Sequence, residues 1–329
     1  MTQPLNGIER MLRSRRVLVT GAGGFLGQAV CHQLLDHRAG VVALDARPSS
    51  QIPAVDWHLG SIPEYRQLPE ILKTVDTVVH CAWSTIPVSA NADPAQDVLS
   101  NVFGSVRLSQ MAGQAGVKRF VFLSSGGTIY GKVTAEKISE KMPVAPSNAY
   151  GAGKASVEMY LASISQKFQL PVTILRVSNP YGPGQLPWRG QGAVNTMVGC
   201  CLENLPFEVW GNGSAVRDYI YIDDVAEAVS RAMLLQSQGL EVFNIGSGRG
   251  LDLLELAVEV ERAIGIKPRL VFEASRQIDV DRNVLSVAKA ERIMAWRPQV
   301  TLSAGIRRAA DWLDRNRALW SHLVPKKED

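Results

Sequence analysis

The fold class is decided by the stretch Arg16-Val-Leu-Val-Thr-Gly-Ala-Gly-Gly-Phe-Leu-Gly27. Its β-branched start predicts a buried strand, and the amphipathic run over 28–35 predicts the helix that follows. Gly21 permits a tight turn between them, Gly24 lets a pyrophosphate approach the backbone, and Gly27 lets the helix pack closely on the strand. The N–H groups and positive end of that helix would hold the phosphates. The stretch therefore predicts the first unit of a dinucleotide-binding sheet.

The next predicted strand, Val41-Val-Ala-Leu-Asp45, ends in a carboxylate. It lies about 20 residues beyond the glycine turn, where a ribose-binding acid is expected. Asp45 can accept hydrogen bonds from the adenosine ribose and would repel a 2′-phosphate, which favours NAD over NADP. Two alternatives stay open, because Arg47 could accept that phosphate and Asp45 could simply open the turn before Pro48.

Strands and helices go on alternating, which predicts an α/β fold with a Rossmann-type doubly wound parallel sheet. We expect further strands over 77–82, 119–125, 172–176 and 242–246, and helices over 94–115 and 150–168. A Gly- and Pro-rich segment over 180–192 marks a crossing into a second lobe. The expected division is discontinuous, with an NAD-binding domain over 1–179 and about 217–246, and a smaller α/β substrate-binding lobe over 180–216 and 247–329.

Tyr150 and Lys154 lie four residues apart in the helix predicted over 150–168, so they share one of its faces. A free tyrosine titrates near pH 10, too high for a base at neutral pH. A neighbouring ammonium favours the phenolate and is expected to lower the pKa of the tyrosine. This spacing alone is typical of many surface helices, but beside a dinucleotide-binding unit it indicates a proton-transfer pair.

Six motifs follow one another along the chain: Thr20-Gly-Ala-Gly-Gly-Phe-Leu-Gly27, Ser124-Ser-Gly-Gly-Thr-Ile-Tyr-Gly131, Tyr150-Gly-Ala-Gly-Lys154, Leu175-Arg-Val-Ser-Asn-Pro-Tyr-Gly182, Val216-Arg-Asp-Tyr-Ile-Tyr-Ile-Asp-Asp224 and Phe243-Asn-Ile-Gly-Ser247. In this order they resemble the extended short-chain dehydrogenase/reductase family, specifically its UDP-sugar 4-epimerase branch. The resemblance runs from about Arg16 to about Trp312, nearly the whole chain.

The resemblance implies NAD as the cofactor. Its binding residues would be Gly21, Gly24, Phe25, Leu26, Gly27, Asp45, Ala82, Asn101, Tyr150 and Lys154. Tyr150 would be the catalytic acid/base, and Lys154 its pKa partner and a ligand of the nicotinamide ribose. Ala82 would lie against the cofactor, and Asn101 would support the site from the next helix.

A catalytic hydroxyl is also implied, and its position depends on the register. Counted back from Tyr130 it falls on Gly126, and counted forward from Phe120-Val-Phe122 it falls on Ser125. Because glycine has no hydroxyl, we expect Ser125, with Thr128 as a second hydroxyl. The alternative is that both are only polar residues at the end of a strand.

For the substrate, the resemblance implies a UDP-sugar bound by Asn179, Val209, Arg217, Arg276, Asp279 and Asn283. Arg217 and Arg276 would pair with the diphosphate, because the planar guanidinium binds phosphate oxygens bidentately. Val209 lies in the segment that would flank the uracil. Asn283 stands where relatives restricted to UDP-glucose and UDP-galactose carry a bulky Tyr, so N-acetylated sugars are allowed but not required.

The chain departs from the family pattern at several positions. Ser61 replaces an acid expected near the adenine, and Ser286 stands where many relatives have Asp. The paired acids that sugar 4,6-dehydratases use are here Gly127 and Thr128. Since dehydration needs an additional acid and base, this replacement argues against a dehydratase.

Composition agrees with an enzyme that works in a reducing compartment. The chain has 329 residues, a net charge of +4 and four cysteines without a Cys-x-x-Cys pair, so we expect reduced thiols in a cytoplasm. No apolar run approaches a membrane span, no basic–aromatic pattern indicates nucleic acid, and the histidines lack metal-ligand spacing. The resemblance implies a homodimer formed by the helices near 95–115 and 150–168.

The sequence therefore predicts an NAD-dependent nucleotide-sugar 4-epimerase. It would interconvert the C4 epimers of a UDP-hexose or UDP-N-acetylhexosamine through a transient 4-keto sugar. Two alternatives stay open: an NAD(P)H-dependent nucleotide-sugar 4-ketoreductase, and a non-catalytic NAD-binding regulatory protein of this fold.

Overall fold

The computed structural model describes residues 7–49, 52, 55–274 and 280–325. Its largest sheet is formed by the strands β1 Arg16–Thr20, β2 Gly40–Asp45, β3 Asp56–Leu59, β4 Thr77–His80, β5 Arg119–Ser125, β6 Val172–Val177 and β10 Leu240–Ile245. These seven strands are parallel and run in the order β10-β6-β5-β4-β1-β2-β3. From β1 the chain forms β2 and β3 on one side of that strand, and it then forms β4, β5, β6 and β10 on the other side. This order confirms the predicted doubly wound sheet.

Smaller strands follow β6 and form separate sheets. They are β7 Asn179–Tyr181, β8 Pro206–Trp210, β9 Val216–Tyr221, β11 Gly250–Leu251, β12 Arg269–Glu273 and β13 Arg282–Asn283. The strand β9 pairs with β7, β11 and β13, while β8 and β12 form a parallel pair. The proposed division of the chain into two lobes stays a prediction.

Helices cover both faces of the large sheet and also lie beside the smaller strands. They are α1 Gly7–Leu12, α2 Phe25–Asp36, α3 Leu68–Leu72, α4 Pro87–Ala92, α5 Pro94–Asp97, α6 Phe103–Gln114, α7 Ala149–Phe168, α8 Ala193–Leu202, α9 Ile222–Met233, α10 Leu253–Ile264, α11 Ala288–Met294 and α12 Leu302–Arg315. Of these, α8, α10 and α12 pack together beside the smaller strands. Neighbouring residues of a strand point to opposite faces, so Val17 and Val19 join one apolar core and Leu18 joins the other. The first core is closed by α2 and α9, and the second by α6 and α7.

The strand and helix bounds agree with the sequence expectations to within a few residues, with one structural difference. The helix expected over 94–115 changes its hydrogen-bond pattern at a π-helical turn, Val98–Val102, between α5 and α6. Such turns are frequent at functional sites. Asn101, expected to support the cofactor site, lies within this turn.

In the described part of the chain, no helix has both the length and the apolar character required to cross a bilayer.

Candidate active site

A cavity of about 1440 Å³ opens at the carboxyl edge of the large sheet, where ligands bind in folds of this kind. It brings together most of the predicted site residues: Gly21, Gly24, Phe25, Leu26, Gly27, Ser125, Thr128, Tyr150, Lys154, Asn179 and Arg217. Five other predicted residues do not line it, namely Asp45, Ala82, Asn101, Val209 and Asn283. Arg276 and Asp279 lie outside the described residues.

The glycine turn between β1 and α2 is shaped for a dinucleotide. Gly21 has a φ of +69°, and a Cβ placed on it would lie 2.6 Å from the Cα of Ala82. A Cβ on Gly27 would lie 2.0 Å from the carbonyl oxygen of Gly21, so only glycine permits this packing. No side chain caps the N-terminus of α2, and the first residues of that helix line the cavity. These features fit a pyrophosphate held at the helix N-terminus.

Asp45 is held beside the glycine turn at the end of β2. Its carboxylate accepts hydrogen bonds from the backbone N–H groups of Gly23, at 2.9 Å, and Arg47, at 3.1 Å. A carboxylate has about four acceptor positions, so these two bonds leave capacity for ribose hydroxyls. The fixed carboxylate is therefore suited to accept hydrogen bonds from the adenosine ribose of NAD, although Asp45 does not itself line the cavity.

Tyr150 and Lys154 occupy the first turns of α7, whose N-terminus is capped by Asn148 through the N–H of Gly151 at 2.8 Å. Lys154 is 4% exposed, and its ammonium donates to the carbonyl oxygen of Leu123 at 2.8 Å. Burial lowers the pKa of Lys154 to about 7. The ammonium thus loses its proton far more easily than an exposed lysine does.

The pKa of Tyr150 changes in the direction opposite to our expectation. Burial, and secondly the negative charge of Asp97, raise the pKa of Tyr150 above its ordinary value. Lys154 does not offset this effect, since its ammonium is turned to Leu123 and lies 5.8 Å from the centroid of the Tyr150 ring. The sequence-based expectation of a lowered pKa is therefore wrong for the protein without ligands.

Ser125 and Thr128 form a pair of hydroxyls in the cavity that Tyr150 also lines. The hydroxyl of Thr128 donates to Ser125 Oγ at 2.9 Å, so the proton of Ser125 remains available to another acceptor. Gly126, the alternative in the other register, turns away: a Cβ there would lie 2.5 Å from Leu285 Cδ1 and 2.9 Å from a backbone oxygen. The packing therefore favours Ser125 as the hydroxyl that faces the cavity.

Asn101 supports the loop that follows β4. Its Oδ1 accepts from the N–H of Ser84 at 2.7 Å, and its Nδ2 donates to Asp97 at 2.8 Å. His80, at the end of β4, is hydrogen-bonded at 2.7 Å to both Thr20 and Ser105. Burial lowers the pKa of His80 to about 3, so this histidine is a neutral core residue.

On the substrate side, Asn179 donates to the carbonyl oxygen of Asp218 at 3.0 Å, and Arg217 donates to that of Val280 at 2.6 Å. The side chain of Val209 points into the core, because alternate residues of β8 face opposite sides. Asn283 is buried and donates to the carbonyl oxygen of Gly126 at 3.0 Å. Room for an acetamido group beside Asn283 stays a prediction.

Two residues near Tyr150 were missed in the sequence. The indole of Trp83 lies 3.9 Å, measured to its centroid, from the Lys154 ammonium, and meets the Tyr150 ring edge-on. Asp97 is a buried carboxylate on α5. An aromatic residue three positions after the end of β4 could have indicated Trp83, because ligands bind at that edge of the sheet. Asp97 carries no such signal. Among the described residues, no cluster of three or more metal-ligating side chains is present.

The fold and the Tyr150–Lys154 pair define a class, the dinucleotide-dependent enzymes of the short-chain dehydrogenase/reductase type. The profile of the NAD dependent epimerase/dehydratase family matches residues 17–246, and the chain belongs to that family. The resemblance seen in the sequence is therefore confirmed, and so is NAD as the cofactor.

Individual relatives agree with this assignment. A UDP-glucose 4-epimerase of Mycolicibacterium smegmatis is 33% identical over 321 residues, covering 92% of this chain and 99% of the relative. The structure of UDP-glucose 4-epimerase with UDP-glucose from Thermotoga maritima is 31% identical, with a TM-score of 0.87 and coverage of 92% and 99%. The UDP-glucose 4-epimerase of Thermus thermophilus in complex with NAD is 32% identical, with a TM-score of 0.85 and coverage of 92% and 99%. The chain is thus similar to NAD-dependent epimerases over nearly its whole length.

Proposed function

We propose that the protein is an NAD-dependent UDP-sugar 4-epimerase. One observation carries this proposal: a single cavity is bordered by the glycine turn, by Tyr150 and Ser125, and by Arg217. This lining supports the proposal, because it would bring a dinucleotide, a proton-transfer group and an anchor for a diphosphate around one space. The substrate is a UDP-hexose or a UDP-N-acetylhexosamine.

The cofactor would be held by the glycine turn, the N-terminus of α2, Asp45 and Lys154. The chemistry supplied by bound NAD would be reversible hydride transfer at C4 of the sugar. The protein supplies the position of the groups and the movement of the proton.

Tyr150 Oη exchanges a proton with the 4-oxygen of the sugar. Ser125 donates its remaining hydrogen bond to the same oxygen, because Thr128 already donates to Ser125. Arg217 holds the diphosphate while the 4-keto sugar turns, so the ketone is not lost before it is reduced. Since the proton and the hydride both return to the sugar, no external reductant is consumed.

Reductant dependence tests the proposal against its nearest rival. The purified protein, given UDP-glucose or UDP-N-acetylglucosamine, is expected to form the 4-epimer at the same rate with and without added NADH. A 4-ketoreductase would instead consume NAD(P)H and act only on a 4-keto sugar. Conversion that requires stoichiometric reductant would replace the epimerase proposal with the reductase.

Replacing Arg217 by glutamine is expected to raise KM for the UDP-sugar about tenfold and leave kcat nearly unchanged, because a charge-assisted bond to the diphosphate is lost. Steady-state kinetics measure both constants. Arg249→Gln is the matched control, since Arg249 is an exposed arginine paired with Glu259 at 3.4 Å and does not line the cavity. Equal KM values for the Arg217 variant and the wild type would remove Arg217 from the substrate site.

We also propose a homodimer that forms through α6, α7 and the π-helical turn. Apolar side chains are exposed there at Leu99, Phe103, Met159 and Tyr160. Phe103→Glu is expected to halve the molar mass measured by light scattering. Phe272→Glu is the control, because Phe272 on β12 has an exposure of 54%, close to the 50% of Phe103. An unchanged mass for the Phe103 variant would contradict this interface.

The four cysteines lie in the described part of the chain and are free thiols. Their state supports the proposal that the enzyme works in the reducing environment of a cytoplasm.

A further inference from the structure

Three side chains form a hydrogen-bonded chain that ends on the Tyr150–Lys154 pair. The indole N–H of Trp83 donates to Thr85 Oγ1 at 3.1 Å, and the hydroxyl of Thr85 donates in turn to Asp97 Oδ1. The first bond fixes the orientation of the indole, and the second fixes the orientation of the Thr85 hydroxyl. We call the residues Trp83, Thr85 and Asp97 the indole relay.

The indole at the end of this relay contacts both members of the proton-transfer pair. The Lys154 ammonium lies 3.9 Å from the centroid of the Trp83 ring, in cation–π geometry. The ring of Tyr150 meets the indole edge-on, with centroids 5.8 Å apart and an interplanar angle of 70°. A rotation of the indole would therefore release the ammonium and the phenol together.

Asp97, at the other end of the relay, is pressed against the same helix. A Cβ placed on Gly153 would lie 2.7 Å from Asp97 Oδ2 and 3.1 Å from Trp83 Cζ2. Asp97 is 1% exposed, and Asn101 also donates to its Oδ1 at 2.8 Å. These short distances leave no space for a methyl group between the relay and α7. Gly153 directly precedes Lys154, so the close packing lies next to the proton-transfer pair.

We infer that Asp97, Thr85 and Trp83 are positioning residues for the proposed reaction, in which Asp97 fixes the Thr85 hydroxyl, Thr85 fixes the indole, and the indole holds Lys154 and Tyr150 in place. This inference rests on the proposed function, because it assigns proton transfer to Tyr150. The contacts that support it are made within the protein and do not depend on which sugar is bound.

The charge of Asp97 gives the relay a measurable signature. Burial is the main cause of the raised pKa of Tyr150, and the negative charge of Asp97 is the second cause. The charge of Asp97 also favours the ammonium form of Lys154, whose pKa burial lowers to about 7. The other titratable groups around the pair are His80 and Cys81 at the end of β4 and Glu158 on α7. His80 is neutral, and Glu158 is bound to Arg176 at 2.6 Å.

Asp97→Asn keeps the shape and an oxygen that can accept from Thr85, but removes the charge. The pKa of Tyr150 and the pKa of Lys154 should both fall in this variant. Because the pKa of Lys154 is the lower of the two, the acidic limb of the pH profile of kcat/KM follows Lys154 and the alkaline limb follows Tyr150. Both limbs are therefore expected to move to lower pH together. An unchanged profile in an active variant would contradict the role of Asp97.

Thr85→Val keeps the charge of Asp97 and the shape of Thr85 but removes the three hydrogen bonds of the Thr85 hydroxyl: the two of the relay and the one that Asn101 donates at 3.1 Å. We expect kcat to fall about tenfold with little change in KM, and Thr85→Ser to restore it. Trp83→Phe, which lacks the N–H, should lower kcat by a similar factor. The double variant should have a kcat no lower than that of the worse single variant, because both substitutions interrupt the same relay. Ser100→Ala is the control, since Ser100 lies beside Asn101 outside the relay.

A measurement without turnover separates the relay from the proposed function. The carbon-13 shift of the Tyr150 ring carbon that bears the hydroxyl, assigned with Tyr150→Phe, follows the ionisation of Tyr150 in the protein as purified. Asp97→Asn is expected to titrate at lower pH than the wild type. If the wild type epimerises no UDP-sugar, the proposed function fails while this titration still decides the role of Asp97. Should Asp97→Asn not fold, wild-type kcat in both Thr85→Val and Trp83→Phe would overturn the relay.

Discussion

Replacing Tyr150 by phenylalanine is expected to lower kcat about 10²- to 10⁴-fold, the range that a positioned acid/base contributes. KM for the UDP-sugar and the NAD content of the purified protein should stay unchanged. The reason is that phenylalanine keeps the ring that packs edge-on against Trp83, at a centroid distance of 5.8 Å, and loses only the hydroxyl. Steady-state kinetics and release of NAD on denaturation measure these quantities.

The matched control is Tyr160→Phe, because Tyr160 lies on the same helix and is exposed to solvent. It should leave kcat unchanged. If Tyr150→Phe instead retained wild-type turnover, another group would have to carry the proton. If the wild type had no turnover at all, the non-catalytic NAD-binding protein would become the better account.

Replacing Gly27 by alanine is expected to strip the protein of NAD and lower its free energy of unfolding by about 1–3 kcal/mol, as overpacking does in a close-packed site. The added methyl would lie 2.0 Å from the carbonyl oxygen of Gly21, so the glycine turn would have to move. The turn is where the pyrophosphate would bind. Absorbance of NAD after gel filtration and thermal unfolding measure the two effects.

Gly7→Ala is the control for this substitution, because a Cβ on Gly7 would meet no atom within 4 Å. That variant should keep both its NAD and its stability. A Gly27 variant that retained NAD through gel filtration and unfolded like the wild type would show that the turn does not hold the cofactor.

The fold was predictable because its signals are local. The β-branched run over Arg16–Thr20 and the glycine turn after it specify a strand and a close helix without help from the rest of the chain. The strand over Arg119–Ser125 was found for the same reason. The π-helical turn at Val98–Val102 was not predicted, since no residue pattern marks it; α5, the turn and α6 all pack against α7.

Only some residues of the candidate cavity could be predicted from the sequence, and its electrostatics could be predicted less well. Helical spacing placed Tyr150 and Lys154 together, yet it could not show that the carbonyl of Leu123 binds the ammonium. Nor could it show that Asp97, far from Tyr150 in the chain, lies beside the phenol and raises its pKa. Long-range packing decides the direction of such a shift, and no short motif records it.

Substrate residues show the same limit. Val209 belongs to a segment that borders the cavity, but strand alternation turns its own side chain into the core while Glu208 and Trp210 line the space. Asn283 was chosen for its size, whereas its amide is bonded to Gly126. A motif can therefore indicate the correct segment without indicating which side chain faces the ligand.

The central claim is tested most directly by proton NMR of the purified protein incubated with UDP-N-acetylglucosamine, and separately with UDP-glucose, without any added cofactor. The proposed function predicts that anomeric signals of the 4-epimer grow in at least one sample, reach a stable ratio, and do not appear with Tyr150→Phe. The sample that changes identifies the sugar class. No new signal in either sample, from a protein shown to contain NAD, would contradict the assignment of these substrates.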